Sequence, residues 1–137
     1  MQTGATLATV ADAMTQRVST LSPESSVLEA VSLFGECGFR HLLVVDGAGK
    51  LTGVLSDRDA LRSMARTHDP ERTKVGTIMT RDVVTATPQM PLADAVDLVV
   101  SHRINCLPVL DGAGTLRGIV TTTDLLAAFR TLLRQAS

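Results

Sequence analysis

Tryptophan and tyrosine are absent from this chain of 137 residues, and phenylalanine occurs three times, at Phe34, Phe39 and Phe129. A nucleic-acid surface built on base stacking has no aromatic platform here, so any base that binds must be held by aliphatic side chains. An excess of one charge is missing as well: 13 Lys and Arg stand against 14 Asp and Glu, a formal net charge of −1. The cations are scattered, which leaves no basic stripe for a phosphate backbone. No run approaches the ~20 apolar residues that a membrane span needs. A basic segment followed by a long apolar run, the mark of a secretory leader, is also missing from the first residues. Cysteine occurs twice, at Cys37 and Cys106. These two do not occupy equivalent places in the repeat described next, which argues against a duplicated disulfide or metal motif and fits a reducing cytoplasm. His41, His68 and His102 likewise show no ligand spacing with them, whereas a structural zinc site needs four converging donors.

What the chain does have is a second copy of itself. Residues 10–64 moved forward by 65 positions lie on residues 75–129 without a gap: Val10 on Val75, Met14-Thr15 on Met79-Thr80, Pro23 on Pro88, and Asp46-Gly47-Ala48-Gly49 on Asp111-Gly112-Ala113-Gly114. Two units are too few for a solenoid, so the duplication predicts one compact pseudo-two-fold body with a cleft between related halves. An apolar content of 45% is enough to build a core, and a chain of this length buries roughly two-thirds of its unfolded surface as a single domain.

Each repeat reads alike. Val18-Ser19-Thr20 and Val83-Val84-Thr85 are short β-prone runs ended by Pro23 and Pro88, which disfavour helix just before them. Ser26-Val27-Leu28-Glu29 resembles a capping box, and Val27, Ala30, Val31 and Phe34 follow helical spacing, as do Leu92, Ala95, Val96 and Val99 after Pro91. Leu42–Val45 and Leu51–Leu55 flank one Asp-Gly-Ala-Gly turn, and Leu107–Leu110 and Leu116–Val120 flank the other. Two apolar β runs split by a Gly-rich turn predict a hairpin. These turns are not phosphate loops, because Gly49-Lys50 leads into a strand rather than a helix. A second helix is expected from Ser56 and from Thr121.

The unit is therefore β-α-β-β-α, and the fold class is α/β (α+β). The expected boundaries are an N-terminal segment at 1–9, a first motif at 10–66, a polar linker at 67–74, a second motif at 75–130 and a tail at 131–137. Residues 1–6 and the last few after Arg134 are expected to have little to pack against and to fray.

In both halves one order of motifs recurs: Met-Thr, Val-x-Thr-x-x-Pro, an amphipathic helix, an apolar strand ending in Asp, then Gly53-Val-Leu-Ser56-x-x-Asp59 or Gly118-Ile-Val-Thr121-x-x-Asp124. This order resembles a cystathionine β-synthase (CBS) domain. Two of them cover almost the whole chain, the tandem arrangement called a Bateman module. The resemblance implies two small sheets packed together around a pseudo-two-fold axis with helices outside. It also implies two clefts for adenosine-containing ligands, and a sensing role rather than catalysis.

The resemblance implies that Asp59 and Asp124 accept hydrogen bonds from ribose hydroxyls, with Ser56 and Thr121 helping at ribose or phosphate. The chemistry is sound, since a carboxylate has two oxygens for two hydroxyl protons and a helix N-terminus beside it suits a phosphate. Ser or Thr followed three residues later by Asp is equally a helix cap, and the two roles are compatible. Thr20, Ser22, Pro23, Thr85, Thr87 and Pro88 form the loops that in the family lie near ribose and phosphate; as residues they also simply end a strand and begin a turn. Val18, Val83, Leu43 and Pro108 are candidates for an aliphatic adenine slot, or ordinary core. For phosphate, Arg40, His41 and Arg58 are candidates in the first half. Their counterparts Asn105, Cys106 and Thr123 are uncharged, so one cleft is expected to hold a charged nucleotide better; the alternative for the arginines is a surface ion pair.

The expected function is a regulatory, non-enzymatic module for an adenine nucleotide or S-adenosylmethionine, with no required cofactor and no metal. It is expected to act as a homodimer on an effector protein in trans, without nucleic acid or membrane. The alternative is a structural dimerisation module with empty clefts. An enzyme acting on the bound nucleotide is a weaker third reading, because no nucleophile motif is present.

Overall fold

The computed structural model describes residues 8–136. The expected N-terminal segment lies outside the described residues except for Ala8 and Thr9, and so does Ser137. In chain order the elements are α1 (Val10–Ala13), β1 (Thr20–Leu21), α2 (Val27–Cys37), β2 (His41–Val45), β3 (Leu51–Ser56), α3 (Asp57–Arg66), a 3-10 turn (Val75–Thr77), α4 (Leu92–His102), β4 (Cys106–Leu110), β5 (Leu116–Thr121) and α5 (Thr122–Ala136). The expected tail is thus helical as far as Ala136.

Two compact units form, and neither is a contiguous repeat. One is Val18–Val83; the other joins the described residues up to Arg17 to those from Val84 onward. In the first unit β1 runs parallel to β2, and β2 pairs antiparallel with β3, setting His41 opposite Ser56. Thr80 extends this sheet by exchanging backbone hydrogen bonds with Val54 at 2.9 and 3.0 Å. In the second unit β4 pairs with β5, setting Cys106 opposite Thr121. Thr15 exchanges bonds with Ile119 at 2.8 and 2.9 Å. Each repeat therefore lends its opening Met-Thr segment to the sheet of the other.

The cores record the same exchange. Val75 and Met79 are buried with Leu21, Ala30, Leu42, Val44, Leu55 and Ala60. Val10 is buried with Ala86, Ala95, Leu107, Val109 and Val120. Burying one such valine contributes about 1.5–3 kcal/mol, enough to fix the segment in place.

Glycine permits the close approach. A Cβ on Gly118 would lie 2.5 Å from the carbonyl oxygen of Thr15, and one on Gly53 would lie 2.8 Å from that of Thr80. Both distances are far inside van der Waals contact.

The strand expected at Val83–Thr85 does not form. Its place is taken by a single parallel bridge, Ala86 to Val109, whereas the first repeat builds β1. The reason is Pro108. In the first unit the Leu43 N–H donates to the Ser19 carbonyl at 3.1 Å, but Pro108 stands at the position equivalent to Leu43 and has no N–H to give.

The Asp-Gly-Ala-Gly segments are hairpin turns. Asp46 Oδ1 accepts from the N–H groups of Ala48 and Lys50, and Asp111 Oδ1 accepts from those of Ala113 and Thr115. Helix α2 starts at Ser26, whose hydroxyl accepts the Glu29 N–H at 3.0 Å. It ends at Gly38 in the left-handed region, φ 72°. Helix α4 ends the same way at Arg103, φ 54°, a conformation that disfavours a side chain.

Candidate functional site

The duplicated Ser/Thr-x-x-Asp motif sits where β3 passes into α3 and where β5 passes into α5. In the second unit it is a complete capping box. The Thr121 hydroxyl accepts the Asp124 N–H at 3.2 Å, while Asp124 Oδ2 accepts both the Thr121 N–H at 2.9 Å and the Thr121 hydroxyl at 3.1 Å. Asp124 Oδ1 is taken too, by the hydroxyl of Thr15 at 3.1 Å. Both carboxylate oxygens therefore already have protein donors.

The first unit uses half of this device. The Ser56 hydroxyl accepts the Asp59 N–H at 3.1 Å and caps α3, but the Asp59 carboxylate takes no part. Its one ion-pair partner among the described residues is Arg62 Nη1, 3.7 Å away, and its side chain remains 40% exposed. Thr80, equivalent to Thr15, makes no hydrogen bond to it. A carboxylate at the N-terminal turn of a helix is itself stabilised there, and this one is open to incoming hydroxyl donors.

Asp59 lines a cavity of about 470 Å³ with Arg62, Ser63, Arg66, Thr67 and Ile78, within the range of small-molecule sites. None of those five companions was singled out in the sequence. For Arg62, Ser63 and Arg66 a signal was available, since with Asp59 they follow the i, i+3, i+4, i+7 stripe of one helix face, and Thr67 caps its end.

The three candidate phosphate groups of the first half take different positions. Arg40 lines a different cavity, of about 360 Å³, with Val31, Phe34, Gly35, Gly38, Phe39, Asp57 and Leu61, while its carbonyl accepts the Asp57 N–H at 2.9 Å, next to Ser56. Arg58 is exposed on α3 and lines neither cavity. His41, half-buried and opposite Ser56, has its pKa held below the ordinary 6.5. Burial is the main cause; the Asp57 carboxylate works against it and the Arg40 guanidinium adds to it. Cys106, at the equivalent place in β4, is buried, and its thiol is pushed up to about 12. It is therefore a poor nucleophile at neutral pH.

The two loop prolines accept hydrogen bonds through their carbonyls. Gly76 donates its N–H to the Pro23 carbonyl, and Ala11 donates to that of Pro88, both at 2.9 Å. The two loops thus pin the lent segments. The Ser22 hydroxyl accepts the Glu24 N–H. The side chains of Thr20 and Thr87 are exposed, and Thr85 is half-buried.

Of the aliphatic candidates, Leu43 and Pro108 are fully buried, on the sheet faces opposite Leu42 and Val44 and opposite Leu107 and Val109. Val18 and Val83 are half-buried. No group of three or more His, Cys, Asp or Glu is placed to hold a metal among the described residues. No helix among them is long and apolar enough to cross a membrane.

Comparison with known proteins gives this geometry a context. The chain is 39% identical over 120 residues to the CBS domain-containing protein YhcV of Bacillus subtilis, covering 87% of this chain and 84% of that one. Among solved structures, CBSX2 in complex with AMP superposes with a TM-score of 0.79 at 30% identity, over 90% of this chain and 97% of that one. The CBS domain pair of MJ0100, in complex with 5′-methylthioadenosine and S-adenosyl-L-methionine, gives 0.80 at 28% identity, over 90% and 96%. Larger proteins share only this portion; the chain spans 22% of the inosine-5′-monophosphate dehydrogenase of Nitrosopumilus maritimus. The CBS domain family model matches at residues 10–66 and again at 75–131, the two stretches that the internal repeat and the paired hairpins had already set apart. With the duplicated fold and these likenesses in agreement, the chain belongs to the CBS domain family and carries two such domains in tandem.

Proposed function

We propose that this protein is a regulatory module that senses an adenosine-containing small molecule, of the AMP, ADP, ATP or S-adenosylmethionine type, and passes its occupancy to an effector protein in trans. Asp59 carries the reading. It is a half-exposed carboxylate at the start of α3, on the wall of a cavity of about 470 Å³, with one long contact to Arg62. Adenosine compounds offer it two ribose hydroxyls, and two charge-assisted bonds would discriminate against a deoxyribose that lacks one of them. The complexes of CBSX2 with AMP and of MJ0100 with 5′-methylthioadenosine and S-adenosyl-L-methionine support this class of ligand.

The role is binding rather than catalysis, with no cofactor required. Both cysteines are free thiols, in keeping with work in a reducing cytoplasm. Signalling requires that the ligand prefer one of two arrangements of the module.

The test is thermal unfolding with and without AMP, ATP and S-adenosylmethionine. A ligand at 100 times its Kd stabilises the folded state by about 2.7 kcal/mol, so at least one of these compounds is expected to raise Tm by several degrees. Asp59→Ala is expected to remove that rise while leaving the ligand-free Tm nearly unchanged. No rise with any adenosine compound refutes the reading.

The second reading, a ligand-free structural dimerisation module, has an observation of its own. Leu61 on α3, Val96 and Val100 on α4, and Leu126 and Phe129 on α5 expose large apolar side chains, and such faces mark association surfaces. A homodimer through these helices is compatible with either role. Only the second predicts a dimer whose Tm ignores every adenosine compound.

A further inference from the structure

We infer that the groove along α3 is a single anion-selecting nucleotide site, in which Asp59 takes the ribose and Arg62 and Arg66 take the phosphates, and that the second unit has no equivalent. The inference rests on the adenosine reading above and narrows it to phosphorylated ligands, one per chain.

Three observations lead there. The first is charge. The cavity beside Asp59 has two guanidiniums against one carboxylate, so it is net positive. Among the described residues Arg62 is tied only by its 3.7 Å approach to Asp59, and Arg66 has no ion-pair partner. Guanidinium groups present planar donor forks that match phosphate oxygens and repel a sulfonium. Ser63, between them on the same face, adds a hydroxyl.

The second is the fate of this stripe in the duplicate. Arg62, Ser63, Arg66 and Thr67 become Ala127, Ala128, Thr131 and Leu132, and Ile78 corresponds to Ala13. Every charged or donor group but one is lost.

The third is Asp124, whose two oxygens are already held by Thr121 and Thr15. With three of its ~four lone-pair sites filled, Asp124 would have to give up one of these bonds to take both hydroxyls of a ribose, whereas Asp59 gives up only a long, exposed ion pair. The phosphate donors are thus present in one copy and missing from the other, and the ribose acceptor is open in one and largely occupied in the other.

The experiment is isothermal titration of the full chain with ATP, AMP, adenosine, S-adenosylmethionine and inorganic tripolyphosphate, repeated on an Arg62→Gln/Arg66→Gln double variant. These side chains are exposed, and an unchanged ligand-free Tm verifies that the variant folds. The wild type is expected to bind one ATP per chain, about tenfold or more tighter than adenosine, and the double variant to lose that advantage while adenosine binding stays within about twofold.

Two equal sites per chain, ATP binding unaltered in the double variant, or a preference for S-adenosylmethionine would each overturn this inference and leave the adenosine reading standing. Tripolyphosphate binding as tightly as ATP would overturn the ribose assignment in favour of a general anion site. A wild type that binds none of the adenosine probes would overturn both.

Discussion

At the scale of single residues, duplication has not produced equivalence. His41 and Cys106 occupy the same place in their repeats, each at the start of the first strand of its hairpin. One is a titrating group and the other is a buried thiol. Because burial holds the His41 pKa below 6.5, the imidazole is neutral in the folded state at a pH where the unfolded chain begins to take up a proton. Stability is therefore expected to fall as pH drops from about 6.5 through the lower folded value, and to level off below it. Chemical unfolding between pH 7.5 and 5 should show this slope in the wild type and a flatter one in His41→Gln. Equal slopes would mean that His41 is not the group responsible.

The aspartates diverge in the same way, and here the sequence was only half legible. It singled out Asp59 and Asp124 and set helix capping beside ligand binding as compatible roles for them. It could not show how differently their carboxylates are occupied, because one partner of Asp124 is Thr15, 109 residues away. Asp124→Asn is expected to lower stability by about 1 kcal/mol through the weakened cap, measurable by urea unfolding. Asp59→Asn should leave stability within about 0.5 kcal/mol.

At the scale of elements, the strands and helices followed from local pattern wherever local pattern decides them. The hairpins are set by alternating apolar runs and Asp-Gly-Ala-Gly turns, and α2 by its Ser26 cap and its apolar face. The failure at Val83–Thr85 was also written in the sequence, but at Pro108, in the partner strand rather than in the run itself.

Two substitutions probe what the elements require. Gly118→Ala forces a Cβ to within 2.5 Å of the Thr15 carbonyl, and overpacking of this kind costs about 1–3 kcal/mol. Arg103→Gly relieves a left-handed residue at the end of α4 and is expected to add ~1 kcal/mol, matching the Gly38 terminus of α2. Urea midpoints at unchanged m-value measure both. A Gly118→Ala protein as stable as the wild type would mean that the Thr15 segment is held more loosely than described.

At the scale of the whole molecule, the offset of 65 residues disclosed the architecture and the family pattern disclosed its class. The compact units, however, are not the repeats. Nothing in the periodicity of residues 10–17 or 75–83 told which sheet would receive them. A segment of a few residues with one buried valine fits two near-identical hairpins equally well on pattern alone. The choice is made in three dimensions, where Gly53 leaves space for Thr80 and Gly118 leaves space for Thr15.

This reciprocal lending sets what becomes of the protein when it is divided. Cut within the 67–74 connection, either fragment would keep a hairpin with a vacant edge, together with a Met-Thr segment made for a neighbour's edge. Such a piece satisfies itself by trading with a sister molecule, so fragment 8–70 is expected to sediment as a pair rather than as a monomer. Mixing it with fragment 71–136 should yield a mixed species in preference to either homotypic one. A fragment that remained folded and monomeric at micromolar concentration would mean that the borrowed edge is dispensable.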